Sequence, residues 1–233
     1  MACMPSWNIH TAHAERLLNE EGPDALGIRD QDSFLLGNLA PDIYVGHMVP
    51  EASRRIDYRC THFADANFVP EPPYWEFFEQ YAQPATADGR VSDVVLGAWV
   101  HLVADNTYNR HSNAYLYAHD IQPCDETRQR KQSDFALFGR TLDISRAPRP
   151  TDEVIAQAAA FPQYVIDEVD VRETCTVMEG IVADNTLRHV TGTPAYDMLP
   201  AEFFEAAYEE AHTLMLVGLR AYARGECAWG ERR

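Results

Sequence analysis

His101 and Asp105 stand four residues apart in the string GAWVHLVAD. If that string is helical, four residues advance it by about 400°, so the two side chains project from one face about 40° apart and can reach a common ion. Imidazole nitrogen and carboxylate oxygen are donors suited to a divalent transition metal. On spacing alone such a pair is more often a surface hydrogen bond than a metal site. The neighbours argue for the metal: Ala98, Trp99, Val100, Leu102, Val103 and Ala104 are apolar, so the helix is expected to be buried, and a buried carboxylate is costly unless a cation or hydrogen bonds compensate it. Two further segments offer donors of the same kind. LLGNLAPDI carries Asp42 just after a helix stop, and RCTHF puts His62 at the start of another helix. Four donors from three separate segments are enough to enclose one ion.

The elements that must position these residues are helices. Apolar residues recur at helical spacing from Ile9 to Leu18, and Asp32 or Ser33 can cap a short helix through Phe34, Leu35 and Leu36 that Pro41 ends. Residues 43–60 carry Gly46, Pro50 and several charges without a sustained period and read as a loop, with helix resuming over 61–68. Pro70, Pro72 and Pro73 open an aromatic helix from Tyr74 to Tyr81. The longest pattern starts after Gly89 and runs to about His119. Helices follow near 124–142, 152–160, 171–190 and 201–223, with a second proline break at Pro148 and Pro150. Strand-like alternation is nearly absent, so the expected class is all-α, a multi-helix bundle with long irregular connections, and the whole of 1–233 is read as a single domain. The string VADNT occurs at both 103–107 and 182–186, too short a match for a duplication.

Composition limits the partners. Thirty-six acidic against nineteen basic residues give a net charge of -17, which repels nucleic acid and anionic membrane surfaces and favours bound cations. No apolar run approaches the roughly 20 residues of a membrane span, and the first residues lack a secretory pattern, so the expected location is the cytoplasm. Five cysteines, Cys3, Cys60, Cys124, Cys175 and Cys227, form no CxxC pair and read as packing or surface thiols.

In order along the chain, IHTAHAERLL, FLLGNLAPDI, THF and LGAWVHLVADNTYNRH resemble the N-terminal signatures of the bacterial zinc-dependent phospholipase C and glycosylphosphatidylinositol phospholipase D family, a helical fold related to the S1/P1 nucleases. The similarity covers roughly the first half of the chain. It implies that Asp42, His62, His101 and Asp105 ligate one zinc, that Asp105 bridges to a second zinc held by His10, and that His111 binds a third. Asp42 and Asp105 are the residues it assigns to catalysis, and a small-molecule or lipid phosphodiester is the substrate class it implies. Six residues from Asp105, a turn of about 240°, aim His111 away from the first ion. Two departures stand out. The family's phospholipase begins with a tryptophan whose amino group and carbonyl bind metal, whereas Trp7 is internal here, and no His and Glu four apart follow His111. His119, Asp134, Asp184, His189 and Glu209 with His212 are substitutes by residue type only.

Other residues have two readings each. His13 could face the His10 site or pack, and His47 could line an entrance or sit exposed in its loop. Asn106 and Asn109 could orient ligands. YWEFF, with Tyr115 and Tyr117, could wall a lipid pocket or fill the core. Three functions follow: a zinc phosphoesterase, in which zinc acidifies a water to a pKa of about 7; a protein with one structural zinc; and an HD-type phosphohydrolase using His119 and Asp120. No G-x-S-x-G elbow, P-loop or dinucleotide fingerprint is present.

Overall fold

The computed structural model describes residues 6–66, 68–84 and 90–226, and within them ten helices and no strand. They are α1 (Trp7–Glu21), α2 (Gln31–Gly37), α3 (Ala40–Ile43), α4 (Tyr58–His62), α5 (Tyr74–Phe77, continued by a π turn over Phe78–Ala82), α6 (Asp93–Ala118), α7 (Asp125–Gly139), α8 (Asp152–Ala159), α9 (Glu168–Leu187) and α10 (Ala201–Ala223). Four helix starts are capped by side chains: Asp30, rather than Asp32 or Ser33, caps α2 by accepting from the Ser33 N–H, Asp57 accepts from Arg59, Ser92 from Val95 and Thr151 from Val154.

Helix α6 is the axis of the molecule: every residue from Asp93 to Asn109 is buried, as expected of a helix apolar on all sides. α2 crosses it through two glycines. A Cβ on Gly37 would overlap the backbone of Val94, and one on Gly97 would overlap the Phe34 carbonyl and the Asn38 nitrogen. Only glycine lets the two backbones approach this closely, and the approach sets the end of α2 against the first turns of α6. One hydrophobic cluster, from Trp7 in α1 to Ala221 in α10, joins the helices on both sides of the second proline break.

The irregular connections are pinned by buried carboxylates. Glu15 accepts from the Ser145 N–H, the Ser145 hydroxyl and the Arg146 N–H; Asp134 accepts from the N–H groups of Asp197, Met198 and Leu199; Asp93 holds Arg29 and Asp30, and Asp170 holds Ser53 and Tyr44. Part of the acidic excess is therefore structural.

Two local expectations shift. Pro41 does not simply end α2; it lies in the first turn of α3, where its missing N–H costs nothing, and Asp42 is carried by that turn. Helix α4 occupies 58–62 rather than 61–68, because Phe63 turns left-handed at φ 60° and closes it. His62 is thus the last residue of a helix, not the first. Among the cysteines, Cys60, Cys124 and Cys175 are free thiols, while Cys3 and Cys227 lie outside the described residues. No helix among the described residues is long and apolar enough to cross a membrane.

Candidate metal centre

Four elements converge on one buried point. α6 supplies His101 and Asp105, one turn apart; α3 supplies Asp42; α4 ends in His62; and α1 brings His10. All five residues are shut off from solvent, none exposed by more than about 1%. His62 Nε2 lies 3.4 Å from His101 Nε2, 3.5 Å from Asp105 Oδ2 and 3.6 Å from Asp42 Oδ1; His101 Nε2 lies 3.6 Å from Asp105 Oδ2 and 3.9 Å from Asp42 Oδ2. Donors held about 2.0–2.2 Å from a common centre in a tetrahedron stand roughly 3.3–3.6 Å apart. The spacings among His62, His101 and Asp105 match that figure, and Asp42 approaches His62 through Oδ1 and His101, at the longer distance, through Oδ2.

Hydrogen bonds fix which nitrogen of each ring faces the centre. His101 Nδ1 lies 2.9 Å from the Asn38 carbonyl, which can only accept, so Nδ1 carries a proton. The Thr61 hydroxyl gives its one proton to the Tyr58 carbonyl at 3.1 Å and therefore accepts from His62 Nδ1 at 2.7 Å. Both Nε2 atoms are left aimed at each other. With the rings neutral, two lone pairs would meet at 3.4 Å, an arrangement that calls for a proton or a cation between them. The carboxylates point the same way: Asp42 Oδ1 and both oxygens of Asp105 are buried without a hydrogen bond. Buried polar atoms are rarely left so, and bound divalent cations would supply the missing partners.

Electrostatics describe the metal-free state. Burial lowers the His62 imidazole to about 3 and the His10 imidazole to about 4, so both are neutral. Burial also opposes charge on His101, but the carboxylates of Asp105 and Asp42 outweigh it and raise His101 to about 9. For Asp42, burial raises the carboxyl to about 6. Burial opposes ionisation of Asp105 too, yet the His101 charge and the His10 contact hold its carboxyl below the usual range. His101 thus carries a proton where a metal would sit.

His10 is placed for a second ion. Its ring stacks on His101 at 3.9 Å and 4°, and its Nε2 lies 3.2 Å from Asp105 Oδ1, off the line of a hydrogen bond. His10, Asp42 and His101 offer ligand atoms within 4.8 Å of one another, as do His62, His101 and Asp105. Asp105 therefore presents Oδ2 to one group and Oδ1 to His10.

His111 is not brought to this cluster: it lies on another side of α6, with Nε2 2.6 Å from Glu210 Oε2 on α10. His13 is buried, stacked on Tyr208 with Nε2 3.3 Å from the Tyr108 hydroxyl, and His47 is exposed in its loop. Asn106 and Asn109 donate to the Pro72 and Pro70 carbonyls and hold the proline segment rather than a ligand. Tyr74, Phe77 and Phe78 are core, Tyr115 bonds the Met198 carbonyl and Tyr117 is exposed. His119 and Asp120 stand exposed at the end of α6, with Asp120 at φ 51°. Asp184 pairs with Arg188, His189 lies 3.7 Å from Asp143, Glu209 pairs with Arg16 and His212 with Glu20.

Four supporting groups were not singled out from sequence. Trp7 donates its indole N–H to Asp42 Oδ2 at 2.9 Å, leaving Oδ1 for the centre. Thr61 and the Asn38 carbonyl orient the two histidines, and Tyr58 stacks on His62 at 4.0 Å and 10°. Spacing held faint signals for them: Trp7 is three residues before His10, Asn38 four before Asp42 and Tyr58 four before His62. No family model, curated protein or solved structure compared with this chain gives a match.

Proposed function

We propose that the chain is a zinc-dependent phosphoesterase on a bundle of the phospholipase C and P1 nuclease type, acting on a phospholipid or another phosphodiester. The observation that carries this reading is the convergence of His62 Nε2, His101 Nε2 and Asp105 Oδ2 at tetrahedral spacing with Asp42 Oδ1 3.6 Å from His62, while Asp42 Oδ1 and both Asp105 oxygens have no donor. Imidazole and carboxylate in equal number favour zinc over calcium or magnesium, which take oxygen alone. Asp42, His62, His101 and Asp105 would hold the first ion, and His10 with Asp105 Oδ1 would contribute to a second. Zinc bound there would act as a Lewis acid on a phosphoryl oxygen and supply an acidified water.

The chain's own groups do the orienting. Trp7 and the unpaired Oδ1 set the face that Asp42 presents, the Asn38 carbonyl and Thr61 keep both Nδ1 atoms protonated, and Asp105 turns Oδ2 to His62 and His101 and Oδ1 to His10. Such outer bonds commonly change metal affinity by about 10–100-fold when lost.

A second reading has its own support: a set of protein donors that lies wholly buried, with Asp42 beside His62, His101 and Asp105, resembles the closed shell of a structural zinc. Zinc content measured per site, with hydrolysis of a generic phosphodiester assayed with and without chelator, separates the two. Two ions and chelator-sensitive hydrolysis support the phosphoesterase. One ion and no hydrolysis of any diester support the structural site.

A further inference from the structure

Tyr58 opens α4, and its side chain has no hydrogen-bonding partner although its hydroxyl is buried. The ring is held in place twice over. It lies flat on His62, and its own carbonyl takes the proton of the Thr61 hydroxyl that orients the same histidine. A hydroxyl fixed in this way, with no acceptor, is destabilising in the ligand-free chain. It is explained if a ligand supplies the acceptor.

The position of Tyr58 says where that ligand sits. The ring covers one face of His62, 4.0 Å away, so a ligand that meets its hydroxyl lies beside that histidine. A phenol, with an ordinary pKa near 10, is a donor at neutral pH, and this one stands against a histidine of the cluster. One dication balances the carboxylates of Asp42 and Asp105; a second, through His10, leaves the centre positive and receptive to an anion.

We propose that the Tyr58 hydroxyl donates a hydrogen bond to one oxygen of a phosphoryl group seated on the metal-loaded cluster, making Tyr58 a binding residue for a phosphate or phosphate ester. The proposal rests on the zinc reading above. Hydrogen bonds from a hydroxyl to a charged phosphoryl oxygen are among the stronger ones, so losing this one should weaken phosphate binding about tenfold or more.

The test uses the full chain loaded with zinc, with zinc per chain measured first and inorganic phosphate and dimethyl phosphate then titrated separately by calorimetry. Tyr58→Phe keeps the ring on His62 and removes only the hydroxyl. It should retain wild-type zinc content and bind whichever of the two ligands the wild type binds, about tenfold or more weakly. Phosphate alone binding marks a free-phosphate ligand, and dimethyl phosphate binding marks a diester. Wild-type affinity in Tyr58→Phe, or no binding of either ligand to zinc-loaded wild type, overturns the proposal while leaving the zinc site standing. Absence of zinc uptake by the wild type overturns both. Should the variant not fold, ¹⁹F NMR of the unaltered chain carrying 3-fluorotyrosine decides: a tyrosine resonance moves on ligand addition only when zinc is bound, and no movement refutes the contact.

Discussion

In the metal-free chain the proton on His101 occupies the place of the metal, so zinc uptake should weaken as pH falls. The carboxylates of Asp105 and Asp42 overcome burial and raise His101 to about 9, which keeps the ring protonated through the neutral range. Binding must displace that proton, and each unit of pH below the raised value costs a factor of ten in apparent affinity. From about pH 8 to about pH 6.5 the affinity should fall roughly 30-fold, or about 2 kcal/mol. His10, lowered to about 4, and His62, lowered to about 3, are already neutral across that range and release nothing. Asp42, raised by burial to about 6, adds a second proton only below that pH, where the dependence should steepen. Competition with a chelator of known zinc affinity at each pH measures the slope, and calorimetry in buffers of different ionisation enthalpy counts the protons released, about one per zinc near pH 7. Affinity independent of pH, with no proton released, would refute the reasoning about His101.

Trp7→Phe keeps the ring in the core but removes the indole donor to Asp42 Oδ2; zinc affinity should drop about 10–100-fold by chelator competition, and unchanged affinity would show that the bond does not orient Asp42. Gly97→Ala drives a Cβ into the Phe34 carbonyl and the Asn38 nitrogen, both backbone atoms, so denaturant unfolding should show a loss of roughly 3 kcal/mol; a stability equal to wild type would mean that α2 moves aside freely. His10→Ala should lose only a second ion and Asp105→Asn should weaken that ion more than the first, both read by metal analysis; equal loss of both ions in His10→Ala would contradict the division of Asp105 between them.

Much of the centre was legible because its residues obey local rules. His101 and Asp105 meet through the helical period, and the apolar string around them foretold their burial. The all-α class followed from the same periodicity. Contacts between distant segments left no local trace. Trp7 and Asp42 are 35 residues apart, and nothing in the spacing of either segment says that the N-terminal helix lies over the turn carrying Pro41. The boundary of α4 was misplaced because a left-handed Phe63 stops the helix where the composition would let it continue. Asn106 and Asn109 looked like supports for ligands because they follow Asp105, but the helix turns their side chains to the proline segment. His111 shares α6 with His101 and Asp105, yet its rotation about the axis delivers it to Glu210 instead.

The central claim is that His62 and His101 belong to one metal-binding site, and zinc content per chain tests it most directly. Purified wild-type protein dialysed against trace zinc should retain at least one zinc per chain by elemental analysis, and His62→Ala and His101→Ala should each lose it, with thermal stability falling in parallel because the ion ties α3, α4 and α6 together. Metal-free wild-type protein, or full zinc retained in both variants, would contradict the account.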